Sequence, residues 1–468
     1  MPRCCGERIG AASGMTTPST RSGSGPAGSC RSAGSPRRPR RLPGAIAGMR
    51  SSGGCSATGW TTSPTAPSCP MGVGRATGAA RGMPSPGIPK PTSPGWASTS
   101  PAGRPARLSR GRLMGHRVVF VLPSLAGGGA ERVLLLLMAA LPQPAYEPHL
   151  VVFDSAGPLN APAGVEVHGL AEPRLRRAAR PLLSILRRFQ PAAIVSTLGY
   201  VNLALLAMRP LLAGRPRLVV REANTPSLSL PQARFAGAMR LGYRRLYPTA
   251  DAVLCQSRLT FGEFERDLGV PASRMRLLPN PVDSDDLRAR AAHPERPAGE
   301  GRGFVAAGRL TRQKGFDRAI EALPAGSRLM IFGDGPDRAA LNALAAAEGR
   351  AEQVRIAPFT RDLPAALAGA DACLLPSRWE GQSNVALESL ACGTPVVATP
   401  EAGAIAELAA EAPAGAVTIA PAGAAYAAAL RAVRIDPVSA PRPSLLPDRY
   451  RLPAVAATFQ AVLAELLD

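Results

Sequence analysis

Residues 372–398 read ACLLPSRWEGQSNVALESLACGTPVVA. The stretch begins with a short apolar run, Ala372–Leu375, and ends with a second one, Val396–Ala398. Between them, apolar residues recur at helical spacing over 383–391, and Ser383 is a residue type that caps helix N-termini. Two apolar runs joined by a helix predict two buried parallel strands and their crossover helix. The sequence here therefore predicts one strand–helix–strand unit.

The same alternation continues on both sides of this unit. Upstream, strands are predicted at 117–122, 150–153, 193–197, 218–220, 252–256 and 276–278, with helices at 130–141, 201–212 and 259–268. Beyond a Pro- and Gly-rich linker at 291–303, strands are predicted at 304–307, 329–332 and 354–357, with helices at 316–323, 336–348 and 363–370. This pattern predicts an α/β fold of two doubly wound, Rossmann-like domains, 114–290 and 291–468. We expect the last helix, 450–468, to pack back on the first domain.

The segment 1–113 differs from the rest of the chain. It carries 16 of the 55 Lys and Arg residues but one of the 33 acids, and so +15 of the formal charge of +22. It has no apolar period, and with little to bury it is predicted to be disordered. Three interpretations stay open: a basic arm that binds anionic lipid or nucleic acid, a linker or targeting segment, and a start site assigned too early, with translation beginning at Met114.

Several classes of protein are disfavoured by composition. No apolar run is long enough to cross a membrane, and the eight cysteines have neither metal-ligand nor disulfide spacing. The 283–285 triplet has the spelling of a metal-binding Asp-x-Asp motif but falls between the domains, so we interpret it as a turn and helix cap. The histidines lie at strand edges or in the linker, which argues against a Ser-His-Asp hydrolase: His116, His149, His168 and His293. No metal and no cofactor are predicted, and the expected location is the cytoplasm.

Chemistry in doubly wound folds is sought in the loops after strands. The first such loop contains Gly127, Gly128 and Gly129, which open a predicted helix. Glycines let the backbone approach a ligand closely, and a helix N-terminus favours an anion. A tight strand–helix turn without a ligand is an equally good interpretation of this loop alone.

The second loop, 308–315, places Arg309 and Lys314 directly after the first strand of the second domain. The chain has only two lysines, and Lys314 is the only one after Met114. Where Arg fills nearly every basic position, a single Lys indicates a site that suits a compact, flexible ammonium group. The two cations would hold a diphosphate; an ordinary surface charge is the alternative.

The third loop, 376–383, leads into the predicted helix at 383–391 and holds one of two acids separated by seven residues. Glu380 lies before the helix and Glu388 more than one turn inside it. The carboxylates would bracket a phosphate held by backbone amides, each accepting hydrogen bonds from hydroxyl groups. The backbone amides that would hold the phosphate belong to Gln382, Ser383, Asn384 and Val385. The alternative is that Glu380 and Glu388 are two solvated acids without a ligand.

Together these motifs resemble those of the retaining GT-B glycosyltransferases of family 4. The resemblance rests on Gly-Arg-Leu at 308–310 with Lys-Gly at 314–315, Phe-Gly-Asp-Gly-Pro at 332–336, the Glu380–Glu388 spacing, and 391–398. Gly-Gly-Ala-Glu-Arg at 128–132 is similar to the subset that acts on lipid-linked oligosaccharides and exopolysaccharide repeat units. The resemblance covers roughly 114–468 and implies two domains that face a central cleft.

The resemblance also implies roles for individual residues. Arg309 and Lys314 would neutralise the departing diphosphate of a nucleotide-sugar donor, Glu380 would bind the transferred sugar, and Glu388 would bind the ribose. Gly128 and Gly129 would lie against the phosphates and the acceptor. The reaction would be sugar transfer to a glycan or polyprenyl-diphosphate-linked acceptor, with retained configuration and without a metal or a covalent carboxylate.

One departure concerns the acceptor side. Many relatives carry a His near the reacting carbon, but the comparable stretch here, 220–226, has none. We take Arg221, Glu222 and Asn224 as the acceptor-side candidates. Two alternatives remain open: a nucleotide-sugar epimerase of the same fold, and a basic nucleic-acid-binding protein supported only by the segment 1–113.

A membrane partner is indicated by the segment from Arg174 to Phe189. It combines six arginines with five Leu and Phe residues at helical spacing, a pattern typical of helices that lie on a membrane surface. We therefore expect peripheral attachment to the cytoplasmic face of the inner membrane. A solvated helix face in an Arg-rich chain is the alternative.

Overall fold

The computed structural model describes residues 115–360, 362–436, 438 and 440–468. The disorder predicted for 1–113, and the start at Met114, lie outside the described residues. The described part contains two parallel β-sheets, each covered by helices on both faces. The predicted α/β architecture of two doubly wound domains is confirmed.

The first sheet has seven strands in the order β3-β2-β1-β4-β5-β6-β7. They are β1 (His116–Ser124), β2 (Tyr146–Asp154), β3 (Glu166–Gly169), β4 (Ala193–Thr197), β5 (Arg217–Arg221), β6 (Ala252–Cys255) and β7 (Met275–Leu277). The helices of this half are α1 (Gly129–Ala139), α2 (Leu175–Phe189), α3 (Gly199–Met208), α4 (Pro226–Ser229), α5 (Ala236–Leu246) and α6 (Arg258–Arg266). The next helix, α7 (Ser284–Arg290), lies before the predicted boundary at 290 but packs into the core of the second domain.

The second sheet has six strands in the order β10-β9-β8-β11-β12-β13. They are β8 (Gly303–Ala307), β9 (Arg328–Phe332), β10 (Val354–Ala357), β11 (Ala372–Leu375), β12 (Val396–Ala398) and β13 (Val417–Ile419). The helices are α8 (Phe316–Ala322), α9 (Arg338–Ala347), α10 (Leu363–Gly369), α11 (Asn384–Ala391), α12 (Ile405–Glu411), α13 (Ala424–Ala432) and α14 (Leu452–Leu467).

The strand–helix–strand unit read from 372–398 forms as predicted. β11 and β12 pair in parallel and α11 connects them. Ser383 caps α11, its hydroxyl oxygen accepting a hydrogen bond from the Ala386 amide at 3.4 Å. Asp283 caps α7 in the same way, with the Asp286 amide at 3.1 Å, which agrees with reading 283–285 as a turn and cap.

The last helix, α14, packs on the first sheet although it follows the second. Phe459 and Leu463 are buried in one core cluster with Phe120 and Leu134 of the first domain. Arg217 Nε donates to the Leu466 carbonyl at 2.9 Å, so β5 is tied to the end of the helix. The chain therefore crosses twice between the two halves.

Helix α2 uses its apolar face inside the first domain. Ala178, Leu182 and Leu186 are buried in the core cluster that also contains β1 and β2 residues, whereas all six arginines of 174–189 are exposed. The segment is a basic amphipathic helix as predicted, but its apolar face is not free to enter a membrane. Within the described residues, none of the helices combines the length and apolarity that crossing a bilayer requires.

Candidate active site at the strand ends of the two sheets

The three loops singled out above all leave the centre of a sheet. The strand order reverses between β1 and β4 in the first sheet and between β8 and β11 in the second. The loops 127–129, 308–315 and 376–383 follow β1, β8 and β11. Open parallel sheets bind ligands at such points, outside the carboxyl ends of their strands. The sequence-predicted residues are therefore on loops where the fold places a ligand.

Lys314 and Glu380 form an ion pair at this point of the second sheet. Lys314 Nζ lies 2.5 Å from Glu380 Oε1, and the Ser377 hydroxyl donates to the same oxygen at 2.9 Å. Glu380 is buried, yet among the described residues nothing donates to its other oxygen. The pair joins two loops and leaves a carboxylate oxygen for a ligand.

The loop that carries Lys314 is held against the loop that carries Glu380. Gly315 has φ of +64°, and a Cβ there would lie 2.1 Å from the Pro376 carbonyl oxygen, so only glycine fits. Arg378 donates to both carboxylate oxygens of Asp317, at 2.8 and 2.5 Å, and these bonds hold the pKa of Asp317 below its usual value. The position of the Lys314 ammonium is thus set by backbone packing and a bidentate ion pair.

Arg309 differs from Lys314 because it is exposed and, within the described part of the chain, forms no ion pair. Burial raises the pKa of Glu131 on α1 of the first domain, and the positive charge of Arg309 opposes this rise. A guanidinium without a protein partner, at a switch point and facing the opposite domain, is available to bind an anion.

Asn280 connects the first residues of α11 to the other domain. Its amide N–H donates to Gln382 Oε1 at 2.6 Å, and its side-chain nitrogen donates to Asn384 Oδ1 at 2.5 Å. Its own Oδ1 accepts from Arg221. Val385, the fourth residue of the predicted set, is half-buried against the second-domain core. The loop before α7 therefore holds the N-terminus of α11, whose first amides have no partner within the helix.

The glycine loop of the first domain touches this same helix end. Asn384 Nδ2 donates to the Gly129 carbonyl at 3.1 Å, and a Cβ at Gly129 would lie 2.7 Å from that nitrogen. A Cβ at Gly128 would collide with the carboxylate of Glu131. Gly129 thus allows the approach of the two loops that the sequence assigned to donor binding.

Glu388, the predicted ribose ligand, is paired with the first domain. Arg132 Nη1 of α1 donates to Glu388 Oε1 at 2.6 Å. Burial raises the pKa of Glu388, and the Arg132 charge opposes that rise. The cavity beside Arg132, Asn384 and Glu388 has a volume of about 10 Å³, the space of roughly one water molecule. This cavity has no room for a ribose while Arg132 stays beside Glu388.

The three acceptor-side candidates are not equivalent. Arg221 and Glu222 are 1% and 2% exposed, and the Glu222 carboxylate accepts from the Tyr243 and Tyr247 hydroxyls at 2.9 Å each. Burial lowers the pKa of Arg221 to about 10 and raises that of Glu222. Both side chains brace the loop after β5, whereas Asn224 on that loop is half-buried and open to a ligand.

Sequence reasoning missed Thr197 and Gln256, and it named Gln382 for its backbone amide rather than for its side chain. Thr197 Oγ1, both side-chain amide atoms of Gln256 and Gln382 Nε2 are buried without a hydrogen-bond partner among the described residues. Thr197 ends β4 and Gln256 directly follows β6, so both lie at strand carboxyl ends. Buried polar groups are normally paired, and such orphans at a switch point mark where a ligand or water binds. The sequence signal that could have identified Thr197 and Gln256 is their position at the end of a buried strand.

Two family descriptions match the two halves of the chain. Residues 127–286 match the family described as Glycosyltransferase Family 4, and residues 301–435 match the one described as Glycosyl transferases group 1. The glycine loop lies in the first match, and Arg309, Lys314, Glu380 and Glu388 lie in the second.

Two curated relatives are similar over about three quarters of their length. The lipopolysaccharide core biosynthesis glycosyltransferase LpsE of Rhizobium meliloti is 32% identical over 257 residues, 51% of this chain and 74% of the relative. A Campylobacter jejuni enzyme, N-acetylgalactosamine-N,N'-diacetylbacillosaminyl-diphospho-undecaprenol 4-alpha-N-acetylgalactosaminyltransferase, is 27% identical over 292 residues, 59% of this chain and 78% of the relative.

Solved structures share the fold. Sucrose-phosphate synthase from Thermosynechococcus elongatus superposes with a TM-score of 0.60 at 17% identity, covering 75% of this chain and 99% of that protein. Anabaena HepE in complex with UDP and glucose superposes with a TM-score of 0.53 at 17% identity, covering 75% and 96%. Together with the sequence matches, this likeness identifies the chain as a member of glycosyltransferase family 4 with the GT-B fold.

Proposed function

We propose that this glycosyltransferase moves a sugar from a nucleotide-diphosphate donor to a glycan or lipid-linked glycan, with retained anomeric configuration. The observation that carries the proposal is the position of Arg309 and of the Lys314–Glu380 pair at the switch point of the second sheet. The site combines two cations for a diphosphate with a carboxylate for sugar hydroxyls. The donor needs no cofactor in this scheme.

Leaving-group stabilisation supplies the rate in the proposed reaction. The bond between the anomeric carbon and the diphosphate oxygen breaks, and its electron pair goes to the diphosphate. The acceptor oxygen bonds to the same face of that carbon, and its proton passes to the departing diphosphate. A cation about 4 Å from the developing charge contributes ~4 kcal/mol at an effective dielectric constant near 20. Arg309 and Lys314 are suited to this role, and Glu380 to orienting the sugar.

Donor binding requires an exchange at Glu388 in this proposal. The carboxylate leaves Arg132 and accepts from the ribose hydroxyls instead, since the cavity beside it holds no sugar while the Arg132 contact persists. The exchange opens the cleft at the glycine loop and admits the nucleotide. Arg132 is therefore a competitor of the donor for one carboxylate.

The acceptor side has an exposed apolar and basic surface, which we call the α4–α5 surface. Leu228, Phe235 and Leu241 are 39%, 66% and 57% exposed, and 226–246 contains no acid. Arg234, Arg240, Arg244 and Arg245 are exposed beside them. Apolar side chains ringed by arginines fit an anionic membrane surface.

This surface lies next to the cleft along the chain and in space. It begins directly after Thr225, whose hydroxyl donates to the Glu380 carbonyl at 2.7 Å. A membrane contact here would bring a lipid-linked acceptor to the loop of Asn224. We propose that the α4–α5 surface, assisted by the exposed arginines of α2, attaches the enzyme to the cytoplasmic face of the membrane. The relatives named for undecaprenol and lipopolysaccharide substrates support this choice of acceptor class.

Binding of nucleotide sugars to the full chain tests the donor proposal. In a panel of UDP-, GDP- and ADP-sugars we expect one nucleotide to raise the Tm, because a ligand at 100 times its Kd stabilises a protein by about 2.7 kcal/mol. With an acceptor present, NMR of the product should show the donor's anomeric configuration. Turnover of the nucleotide sugar without acceptor would instead establish an epimerase, and an inverted product would reject the retaining reaction.

Vesicle binding tests the membrane proposal. We expect the full chain to bind vesicles containing anionic lipid more tightly than neutral ones, and the Phe235→Ser/Leu241→Ser variant to bind about tenfold more weakly, the loss expected from partial burial of two apolar side chains. Phe359→Ser is the matched control because Phe359 is 60% exposed on the second domain. Both variants keep the basic segment 1–113, so equal binding by the two would contradict the proposal.

A further inference from the structure

Three metal-ligand side chains meet on one face of the outer two strands of the first sheet. His149 of β2 is the register partner of Glu166 of β3, and His168 lies two residues further along β3. Paired residues of parallel strands, and residues two apart on one strand, point to the same face. This meeting was not predicted, because β3 has no apolar run and was not expected to be a strand.

The three side chains bring their ligand atoms close together. His149 Nδ1 lies 3.6 Å from Glu166 Oε2, and His168 Nε2 lies 3.6 Å from Glu166 Oε1. One ligand atom from each residue falls within 4.8 Å of the other two. Tetrahedral zinc with ligand bonds of about 2.0–2.1 Å separates its ligand atoms by roughly 3.3–3.4 Å. A small contraction converts the observed arrangement into a three-residue metal site.

Both imidazole nitrogens that face the cluster lack a hydrogen-bond partner. His149 Nδ1 and His168 Nε2 are buried and unpaired within the described residues, and the two side chains are 10% and 11% exposed. Leaving a buried ring nitrogen unpaired costs stability. A metal ion would satisfy both nitrogens at once. Glu166 is 67% exposed and gives an ion access from solvent.

Neighbouring groups position the two imidazole rings. Glu147 Oε1 lies 3.2 Å from His149 Nε2, so a proton on Nε2 leaves the Nδ1 lone pair for the metal, as in carboxylate–histidine–zinc sites. The Phe189 ring packs against both imidazoles, with centroids 5.1 and 4.6 Å away.

The local charges also permit a cation. Glu147 and Glu166 face the cluster, while Arg117 pairs with Glu147 at 3.3 Å and Arg188 lies over the Phe189 ring. The positive charge of Arg188 acts on His168 and disfavours a cation there, whereas the Glu166 carboxylate, 3.6 Å from each imidazole, favours one.

We propose that His149, Glu166 and His168 bind a divalent transition-metal ion, with Zn²⁺ as the best fit and water as the fourth ligand. Imidazole nitrogen with one carboxylate suits zinc rather than magnesium or calcium, which prefer oxygen ligands. The ion would tie the four-residue edge strand β3 to β2. Its site lies in the first half of β2, whereas the glycine loop follows the carboxyl end of β1, so the role would be structural.

Zinc titration of the EDTA-treated, dialysed full chain tests this proposal. We expect Zn²⁺ to raise the Tm of the wild type, and the His149→Gln/His168→Gln variant to bind about one equivalent less with about 100-fold lower affinity at this site. The five cysteines before residue 114 are present in both proteins, so the difference between them reports this site. His293→Gln, which removes an exposed linker histidine, should bind zinc as the wild type does.

Equal zinc content and equal zinc-dependent Tm in the wild type and the double-histidine variant would overturn the proposal. If that variant does not unfold cooperatively, Glu166→Gln replaces it, because Glu166 is exposed and its change removes one ligand with little effect on packing. Glu166→Gln should lower zinc affinity about tenfold or more. Wild-type affinity in Glu166→Gln would equally reject the site.

Discussion

Lys314→Ala is expected to lower kcat for sugar transfer by about 1,000-fold. An ammonium about 4 Å from the departing diphosphate contributes ~4 kcal/mol at an effective dielectric constant near 20, and each 1.36 kcal/mol is a factor of ten in rate. Arg309 remains on the diphosphate in this variant, so its contribution is not part of the loss. The measurement is steady-state transfer with saturating donor, using the nucleotide sugar found in the donor panel.

The same change removes the partner of a buried carboxylate, so stability must be measured beside activity. Lys314 pairs with Glu380, which keeps the Ser377 hydroxyl as a donor. We expect the Tm to fall while unfolding stays cooperative, since an unpaired buried charge costs stability. Arg312→Ala is the matched control: Arg312 lies in the same loop, is exposed, and its side chain makes no ion pair with any described residue. Near-wild-type kcat in Lys314→Ala would contradict the site assignment.

Strands and helices whose apolar pattern and end residues all lie in their own sequence could be predicted. β11, α11 and β12 combine apolar runs, a capping Ser383 and a closing Gly393, and the structure places them within a residue of the prediction. By contrast, β3 has four residues and is held mainly by pairing with β2, so it carries no apolar run of its own. Edge strands of this kind are fixed by tertiary pairing rather than by local pattern.

Helix α2 shows a limit of amphipathic patterns. The arginines and apolar residues of 174–189 predicted a membrane-facing helix, but the same pattern serves any helix that covers a sheet. Leu182 and Leu186 pack in the core, whereas Phe235 and Leu241 of the α4–α5 surface stay exposed. No helix was predicted over 236–246, and the exposure of Phe235 and Leu241 is known only from the fold.

The sequence predicts which loops carry the candidate site but not the hydrogen bonds that join them. Arg309, Lys314, Glu380 and Glu388 follow buried strands or a capped helix, positions that spacing locates. Asn280 lies between two prolines and reads as a turn, yet it joins Gln382 and Asn384 to Arg221. Contacts between residues so far apart in the chain have no local signature, which is why this connection was not foreseen.

The Arg132–Glu388 contact makes the clearest link between the fold and donor binding. Arg132 is on α1, directly after the glycine loop, and Glu388 is inside α11, so their hydrogen bond joins the two helices that face the proposed phosphate site. A donor that takes Glu388 must break this contact. Closure of the cleft without donor, and binding of the donor, therefore compete for the same carboxylate oxygen.

This competition predicts effects of opposite sign at the two residues. Glu388→Ala should raise the donor Kd about 30-fold, because it removes two charge-assisted hydrogen bonds to the ribose worth about 3 kcal/mol together, and also the Arg132 contact worth about 1 kcal/mol that the donor must otherwise break. Arg132→Ala should lower the donor Kd about fivefold, since it removes a partly exposed ion pair worth about 1 kcal/mol.

Both constants are measurable by calorimetry with the nucleoside diphosphate. The control is Glu348→Ala, because Glu348 is an exposed acid at the end of α9. A weaker donor in Arg132→Ala would show that Arg132 binds the donor and does not compete with it. Unchanged donor affinity in Glu388→Ala would remove Glu388 from the donor site, because no other role in the proposed reaction depends on its carboxylate.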